Sequence, residues 1–363
     1  MSAGSSTVPS FVSTLNTVQH GKPVSMKEDS SVVARRNLRA VPGVYLIERE
    51  FVYGESHSKE SGLMEAAAKG YTKLVEALLA EGAKVNYQNK EGMTALHEAV
   101  NDCRHSDVDS RIQIIQTLLH AKASLEIPDH RGGYPLRTSI RPLGRVSLRC
   151  YNFLKETILK GIEERRQKGL APFVSRQFAD QTFLTAVIQG DMQFVTYLIN
   201  LPDMDINAID HYHSSQTALM IAIEEGYIDI VTQLLTKNPN LELKDRDGMN
   251  ALMYAVRRSL PPVVSKLIRA GVKINEFNGR GVTALYEAIN PRHQENDIDI
   301  QIVESLLKAG ADMSLGDYSP LSEMQSGHYK KARPRIYAVL EKALAAKEAQ
   351  SSSSTSSASA ATE

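Results

Sequence analysis

Cys103 and His105 are the pair in this 363-residue chain that most invites nucleophilic chemistry, since a thiolate needs an adjacent base to become reactive. They stand two residues apart in a polar stretch, without an orienting third group and without an oxyanion-hole motif. Cys150 beside Arg149 is a weaker version of the same idea. Asp107 and Asp109 bring two carboxylates together, but not with the spacing of a calcium-binding EF-hand loop. The phosphate-cradling glycine loops, the zinc-protease helix motif and the serine nucleophile elbow are all absent. The sequence therefore predicts no catalytic residue, no cofactor and no metal site. Two cysteines without a Cys-x-x-Cys spacing build neither a disulfide framework nor the usual zinc site, and they point to a reducing, cytoplasmic compartment.

The charge balance narrows the partners. Lys and Arg number 42, Asp and Glu also 42, so the formal net charge is zero. Nucleic acid and anionic membrane surfaces favour basic chains, and neither is expected here. No apolar run approaches the roughly 20 residues that span a bilayer. The first residues lack the charged and continuously apolar regions of a secretory signal. Membrane insertion is not expected, and the chain reads as a monomer. Hydrophobic residues make up 42%, enough for a buried core.

What must position any functional side chain is a repeat. Thr94-Ala-Leu-His-Glu-Ala-Val100, Thr217-Ala-Leu-Met-Ile-Ala-Ile223, Asn250-Ala-Leu-Met-Tyr-Ala-Val256 and Thr283-Ala-Leu-Tyr-Glu-Ala-Ile289 read alike. Their second alanines fall at Ala99, Ala222, Ala255 and Ala288, and the last three are 33 residues apart. Ser61-Gly-Leu-Met-Glu-Ala-Ala67 joins them, with Ala66 33 residues before Ala99. The pattern of a second helix recurs at Val75, Leu78 and Leu79; Val195, Leu198 and Ile199; Val231, Leu234 and Leu235; and Val264, Leu267 and Ile268. That spacing puts them on one helical face. Gly82, Asn238, Gly271 and Gly310 then supply a left-handed helix end. Polar turn triplets come next: Asn86/Asn89/Gly92, Glu126/Asp129/Gly132, Glu242/Asp245/Gly248 and Asn275/Asn278/Gly281.

The period and the Thr-x-Leu-x-x-Ala core resemble the ankyrin repeat. The resemblance implies an all-α solenoid of about seven helix-turn-helix units joined by β-hairpin loops. The units fall at 61–92, 93–132, 133–180, 181–215, 216–248, 249–281 and 282–318, with a capping repeat or helix at 319–349. The third is the poorest match: Tyr134-Pro-Leu136 opens it, Ser139 replaces the alanine, and Lys160–Ala179 intrudes before the fourth. Gly161–Gly169 reads as an extended helix or helical outgrowth, and an unbroken superhelix is not assumed there. Polar inserts separate the two helices of the second unit (101–109) and of the seventh (290–297). An enzyme built from the inserts of the second, third and seventh units is the alternative to a binding module.

Ankyrin arrays bind proteins along their hairpin tips and inner helices, so the resemblance implies a non-enzymatic scaffold with a protein partner. Carried onto this chain, the tip positions are Tyr87, Lys90, His130, Arg131, His211, Tyr212, Lys244, Arg246, Phe277 and Arg280. Aromatic and arginine side chains dominate interface energetics, and the basic members suggest a partner with an acidic surface. His97, in the place of the family's histidine, is expected to bond neighbouring turns rather than to catalyse. Residues 1–60 lack the repeat; a β-like run at Val44–Ile47 suggests a cap. Residues 350–363 are Ser-rich and expected to be disordered. That terminus is similar to the tails of ankyrin effectors that intracellular bacteria deliver through type IV secretion, which implies delivery into a host cell.

Overall fold

The computed structural model describes residues 59–101, 108–140, 147–211, 214–290, 296–316, 318–325 and 329–359. The β-like run at Val44–Ile47, Cys103 with His105, and Tyr212 lie outside them. Helices follow one another in pairs. α1 (Lys59–Lys69) leads to α2 (Thr72–Ala80), α3 (Ala95–Asn101) to α4 (Val108–His120), and α5 (Pro135–Thr138) to α6 (Ser147–Gln167). Then come α7 (Arg176–Ile188) with α8 (Met192–Leu198), and α9 (Ala218–Glu224) with α10 (Ile228–Leu235). α11 (Ala251–Arg257) pairs with α12 (Pro261–Arg269), and α13 (Ala284–Ile289) with α14 (Asp297–Lys308). Two short helices, α15 (Pro320–Gln325) and α16 (Tyr329–Ala332), precede α17 (Pro334–Ser359).

The repeated motif explains the first helix of each pair. Thr217, Asn250 and Thr283 are N-caps whose side chains accept from the amides of Met220, Met253 and Tyr286, satisfying donors that a helix start leaves open. The motif alanines Ala66, Ala99, Ala222, Ala255 and Ala288 are buried, and their small side chains let neighbouring first helices approach closely. These helices pack in a continuous layer from α3 through α5, α7, α9, α11 and α13 to α15. The second helices form another layer, α2–α4–α6 and α8–α10–α12–α14–α17. Val75, Leu78, Val195, Leu198, Val231, Leu234, Val264 and Leu267 are buried as their spacing predicts. Each such side chain contributes roughly 1.5–3 kcal/mol of transfer free energy.

Fully buried Arg111 on α4 donates to the carbonyls of Ala67, Ala68, Glu98 and Ala99 at 2.6–3.3 Å. One guanidinium thus satisfies the C-terminal ends of both α1 and α3, where a cation also opposes the helix dipole.

The third unit departs most from the pattern. α6 has 21 residues against 8 in α10 and 9 in α12. Ile158 and Ile162 are buried along the extra turns. A Schellman motif ends the helix: Leu170 N donates to Arg165 O at 2.9 Å and Gly169 N to Arg166 O at 3.0 Å. α7 begins at Arg176, capped by Ser175, so the unit boundary expected at 180/181 falls inside this helix. Phe178 of its first turn meets Tyr134 edge-on at 5.0 Å, and Arg176 pairs with Asp205 at 2.9 Å. That turn therefore lies between the preceding hairpin and the following one, where a hairpin tip would otherwise sit. Between α6 and α8 the link is polar, with Lys155 Nζ and the Tyr151 hydroxyl on the Asp191 carboxylate at 2.7 and 3.2 Å.

The end of the chain also differs from expectation. α17 continues to Ser359, so ten residues of the segment expected to be disordered are helical. Alanine and serine offer no steric obstacle to continuing a helix already nucleated by Pro334 at its first position.

Candidate protein-interaction surface

The turn residues build the hairpin tips in a repeated way. Asn89 Oδ1 accepts from the amides of Glu91 and Met93 at 3.0 and 2.9 Å. Asp129 Oδ1 does the same for Arg131 and Gly133, Asp245 for Asp247 and Met249, and Asn278 for Arg280 and Val282. A short acceptor at this position closes the turn on itself, which is why only Asp or Asn appears there. Successive tips are then stitched together. His130 N donates to Glu91 O at 2.9 Å, Arg246 N to Ser214 O at 2.8 Å and Gly279 N to Asp247 O at 2.7 Å. At Gly248, φ is +73° and a Cβ would stand 2.5 Å from Gly279 N. Glycine is thus required by both backbone conformation and contact. Among the described residues, strand pairing is limited to β1 (Ile209–Asp210) with β2 (Gln216–Thr217) and an isolated bridge, Phe277 to Thr283.

Behind the tips, His97 is fully buried. Its Nδ1 meets Thr94 N and Oγ1 at 3.1 and 2.9 Å, and its Nε2 meets Gly133 O at 3.0 Å. The histidine ties its own turn to the next. Arg137 holds the corresponding position in the third unit and forms a buried ion pair with Asp210 at 2.8 Å. Asp245 Oδ2 accepts from the Tyr254 hydroxyl at 2.6 Å, which accepts from Gln216 Nε2 at 2.8 Å. Gln216 also donates to Glu224, and Arg257 lies 4.6 Å from the Tyr254 ring. Burial first, then the bond to Asp245, pushes the Tyr254 hydroxyl up to about 12. Burial and the bond to Glu323 push Tyr286 up to about 12 as well.

Apart from Tyr212, which lies outside the described residues, the sequence-predicted positions fall on these tips. Tyr87 and Phe277 are 43% and 39% exposed, large fractions for aromatic side chains on fixed turns. Lys90, His130, Arg131, His211 and Arg280 are exposed. Two others are committed to structure. Lys244 Nζ reaches Glu276 Oε2 and Phe277 O at 2.8 Å each, and holds the Glu276 carboxyl below its ordinary range. Arg246 donates to Ser215 Oγ at 3.1 Å and His211 O at 3.3 Å. These two cations bridge neighbouring tips while keeping part of their surface in solvent. Lys90, Arg131 and Arg280 form no ion pair among the described residues, whereas the exposed acids Glu91 and Asp247 alternate with them.

Three features escaped the sequence reading. Arg111 follows the insert at the phase of Ile114, Ile115 and Leu118, and a cation in register with a buried stripe was the available signal. Asp210 stands three residues after Asn207, as Asn89 does after Asn86. Leu170 and Val174, 51% and 63% exposed, lie in the intruding segment. Among the described residues no group of three or more His, Cys, Asp or Glu side chains is placed to hold a metal, and no helix is long and apolar enough to cross a membrane.

Comparison with known proteins agrees with this geometry. A family model for ankyrin repeats in three copies matches residues 151–245, 183–278 and 228–317, and one for many copies matches 63–119. The chain is 30% identical over 183 residues to Rabankyrin-5 of Mus musculus, covering 50% of this chain and 14% of that protein. It is 24% identical over 192 residues to the B-cell lymphoma 3 protein homolog of Mus musculus, covering 51% and 42%. With the ankyrin repeat and KH domain-containing protein mask-1 of Caenorhabditis elegans it shares 24% over 322 residues, covering 76% and 12%. The chain thus spans less than half the length of each of these relatives. Family models that cover 63–119 and 151–317, the latter reaching into the irregular third unit, over helical pairs capped, turned and stitched in one repeated manner, make this chain a member of the ankyrin-repeat family.

Proposed function

We propose that this chain is a non-enzymatic scaffold that holds a partner protein against its hairpin tips and inner helices. One observation carries the reading: exposed aromatic and basic side chains stand on backbone that is already locked. The side-chain-closed turns and the bonds between tips fix Tyr87, His130, Arg131, Phe277 and Arg280 before any partner arrives. Little ordering entropy is then lost on binding. Lys90, Arg131 and Arg280, which form no ion pair among the described residues, favour a partner surface that is acidic opposite them. Repeat arrays present such surfaces at regular spacing, which suits a scaffold.

Affinity capture from cytosolic lysate, using the full chain beside a variant with Tyr87, Lys90, Arg131, Phe277 and Arg280 changed to alanine, tests this. A protein retained by the parent and lost by an equally stable variant is the expected result. Identical capture by both refutes the tip reading. Arg246 and Lys244 are left intact because their removal would loosen the tips themselves. Delivery into a host cell draws support from the Ser-rich terminus alone. A chain ending at residue 349 is expected to keep partner capture and lose delivery of a fused reporter enzyme.

A further inference from the structure

The tip edge of the array stops before its helices do. Ser319 caps α15, its Oγ accepting from Ser322 N at 3.1 Å, as Thr283 caps α13. Yet Ser319 follows the left-handed Gly310 by nine positions, where Thr283 follows the left-handed Gly271 by twelve. The last turn is thus too short to project a tip. We infer that the face left open there takes an arginine side chain of the partner protein, against the Tyr286 and Tyr318 rings and the carboxylates of Glu287 and Glu323. This rests on the protein-binding reading above and names the partner's chemistry at one end of the surface.

Three aromatic side chains border the shortened turn. Tyr318 is 57% exposed, and its ring centroid lies 6.0 Å from that of part-buried Tyr286, the planes tilted by 47°. Tyr286 is held in place by its hydroxyl, which donates to Glu323 Oε1 at 2.9 Å. Phe277 borders the same turn, its Cε1 3.4 Å from the point where a Cβ on Gly316 would stand. No side chain at Gly316 covers that ring, so the aromatic faces stay open to an incoming group. Such faces attract cations, arginine most often.

The charges beside these rings are acidic. Glu287 and Glu323 are part-buried and form no ion pair among the described residues. Burial first, then Glu323, Tyr318 and Glu287, raise the Tyr286 hydroxyl, and no cation opposes them. The cations of the surrounding elements are placed elsewhere. Lys244 is on Glu276, Lys330 lies 4.7 Å from the Tyr337 ring, Arg258 is exposed at the end of α11, and Arg280 is exposed on the tip turn. One unit earlier the chain fills such a combination itself: Arg257 lies 4.6 Å from the Tyr254 ring and 3.6 Å from the Glu224 carboxylate. The position 33 residues after Arg257 is Asn290, exposed and uncharged. The last unit therefore keeps ring and carboxylate without an arginine of its own, and a guanidinium from the partner meets both.

The test selects a random short-peptide library on phage against the full chain. It then measures the enriched peptides on the parent, on Tyr318→Leu, on Glu287→Gln with Glu323→Gln, and on Lys90→Ala with Arg131→Ala. Glutamine still accepts from the Tyr286 hydroxyl, and matching melting curves establish that the variants fold. Replacing the peptide's arginine with citrulline removes the charge without touching the protein. Expected is an arginine in the enriched peptides, with binding weakened about tenfold or more by citrulline, by Tyr318→Leu and by the glutamine pair. The Lys90 and Arg131 pair is expected to leave it unchanged. Peptides without arginine, arginine peptides that the Tyr318 and glutamine variants bind as the parent does, or no enrichment overturn the inference. Peptides lost only in the Lys90 and Arg131 variant also overturn it and leave the scaffold reading standing.

Discussion

Glu98 follows His97 on α3, with Arg111 bonded to its backbone carbonyl. Burial raises its carboxyl above the ordinary 4.5, nearby Glu91 adds to the effect, and Arg111 opposes it. The folded chain therefore holds this proton to higher pH than the unfolded chain does. Between pH 4.5 and the raised value the folded state binds more protons, so stability falls as pH rises through that window. At neutral pH the charged carboxylate is a cost. Glu98→Gln is expected to raise the melting temperature near pH 7 and to change it little below about pH 4, where the glutamate is neutral in both states. Thermal melts at the two pH values decide this, and an equal shift at both would remove the ionisation argument. At this scale the sequence was partly legible. His97 could be assigned a structural role because it lacked a catalytic partner, and it bonds Gly133 O of the next turn. Arg111 could not, because an arginine on an amphipathic helix reads as solvated until the carbonyls it caps are brought to it.

The helices and turns were legible wherever one element's needs are met by nearby residues. N-caps at Thr217, Asn250 and Thr283, and the Asp or Asn that closes each tip, act within four residues of themselves. The junction of the third and fourth units was not, because its compensation is long-range. The first turn of α7 stands where a tip would sit, and Arg137 reaches Asp210, 73 residues away, to close the array across it. Removing one partner leaves a buried charge unpaired, so Arg137→Met should cost about 3–5 kcal/mol. The double change Arg137→Met with Asp210→Leu should cost clearly less, since no lone charge remains. Denaturant unfolding of the two variants measures the difference. Equal losses would mean that the pair matters only as packing volume.

Across the whole molecule, each helical pair packs on its neighbours and the core grows lengthwise, so damage should stay local. Leu234→Pro breaks α10 and removes a fully buried side chain. Hydrogen exchange is expected to lose protection first in α8 to α12 and to retain it in α3 and α4; a uniform loss along the array would contradict this picture. Sequence alone determined the repeat, its period, the buried faces and the turn chemistry, since all of these depend on interactions at short separation that recur in register. It also determined which side chains would stand at the tips, because the turn residues beside them dictate it. Tertiary structure decided which tip cations are spent on neighbours, as Lys244 is on Glu276 and Arg246 on Ser215 and His211. It also decided how the irregular third unit is bridged and that Leu170 and Val174 stand in water. Those outcomes depend on which distant groups meet, and periodicity carries no information about contacts that occur once.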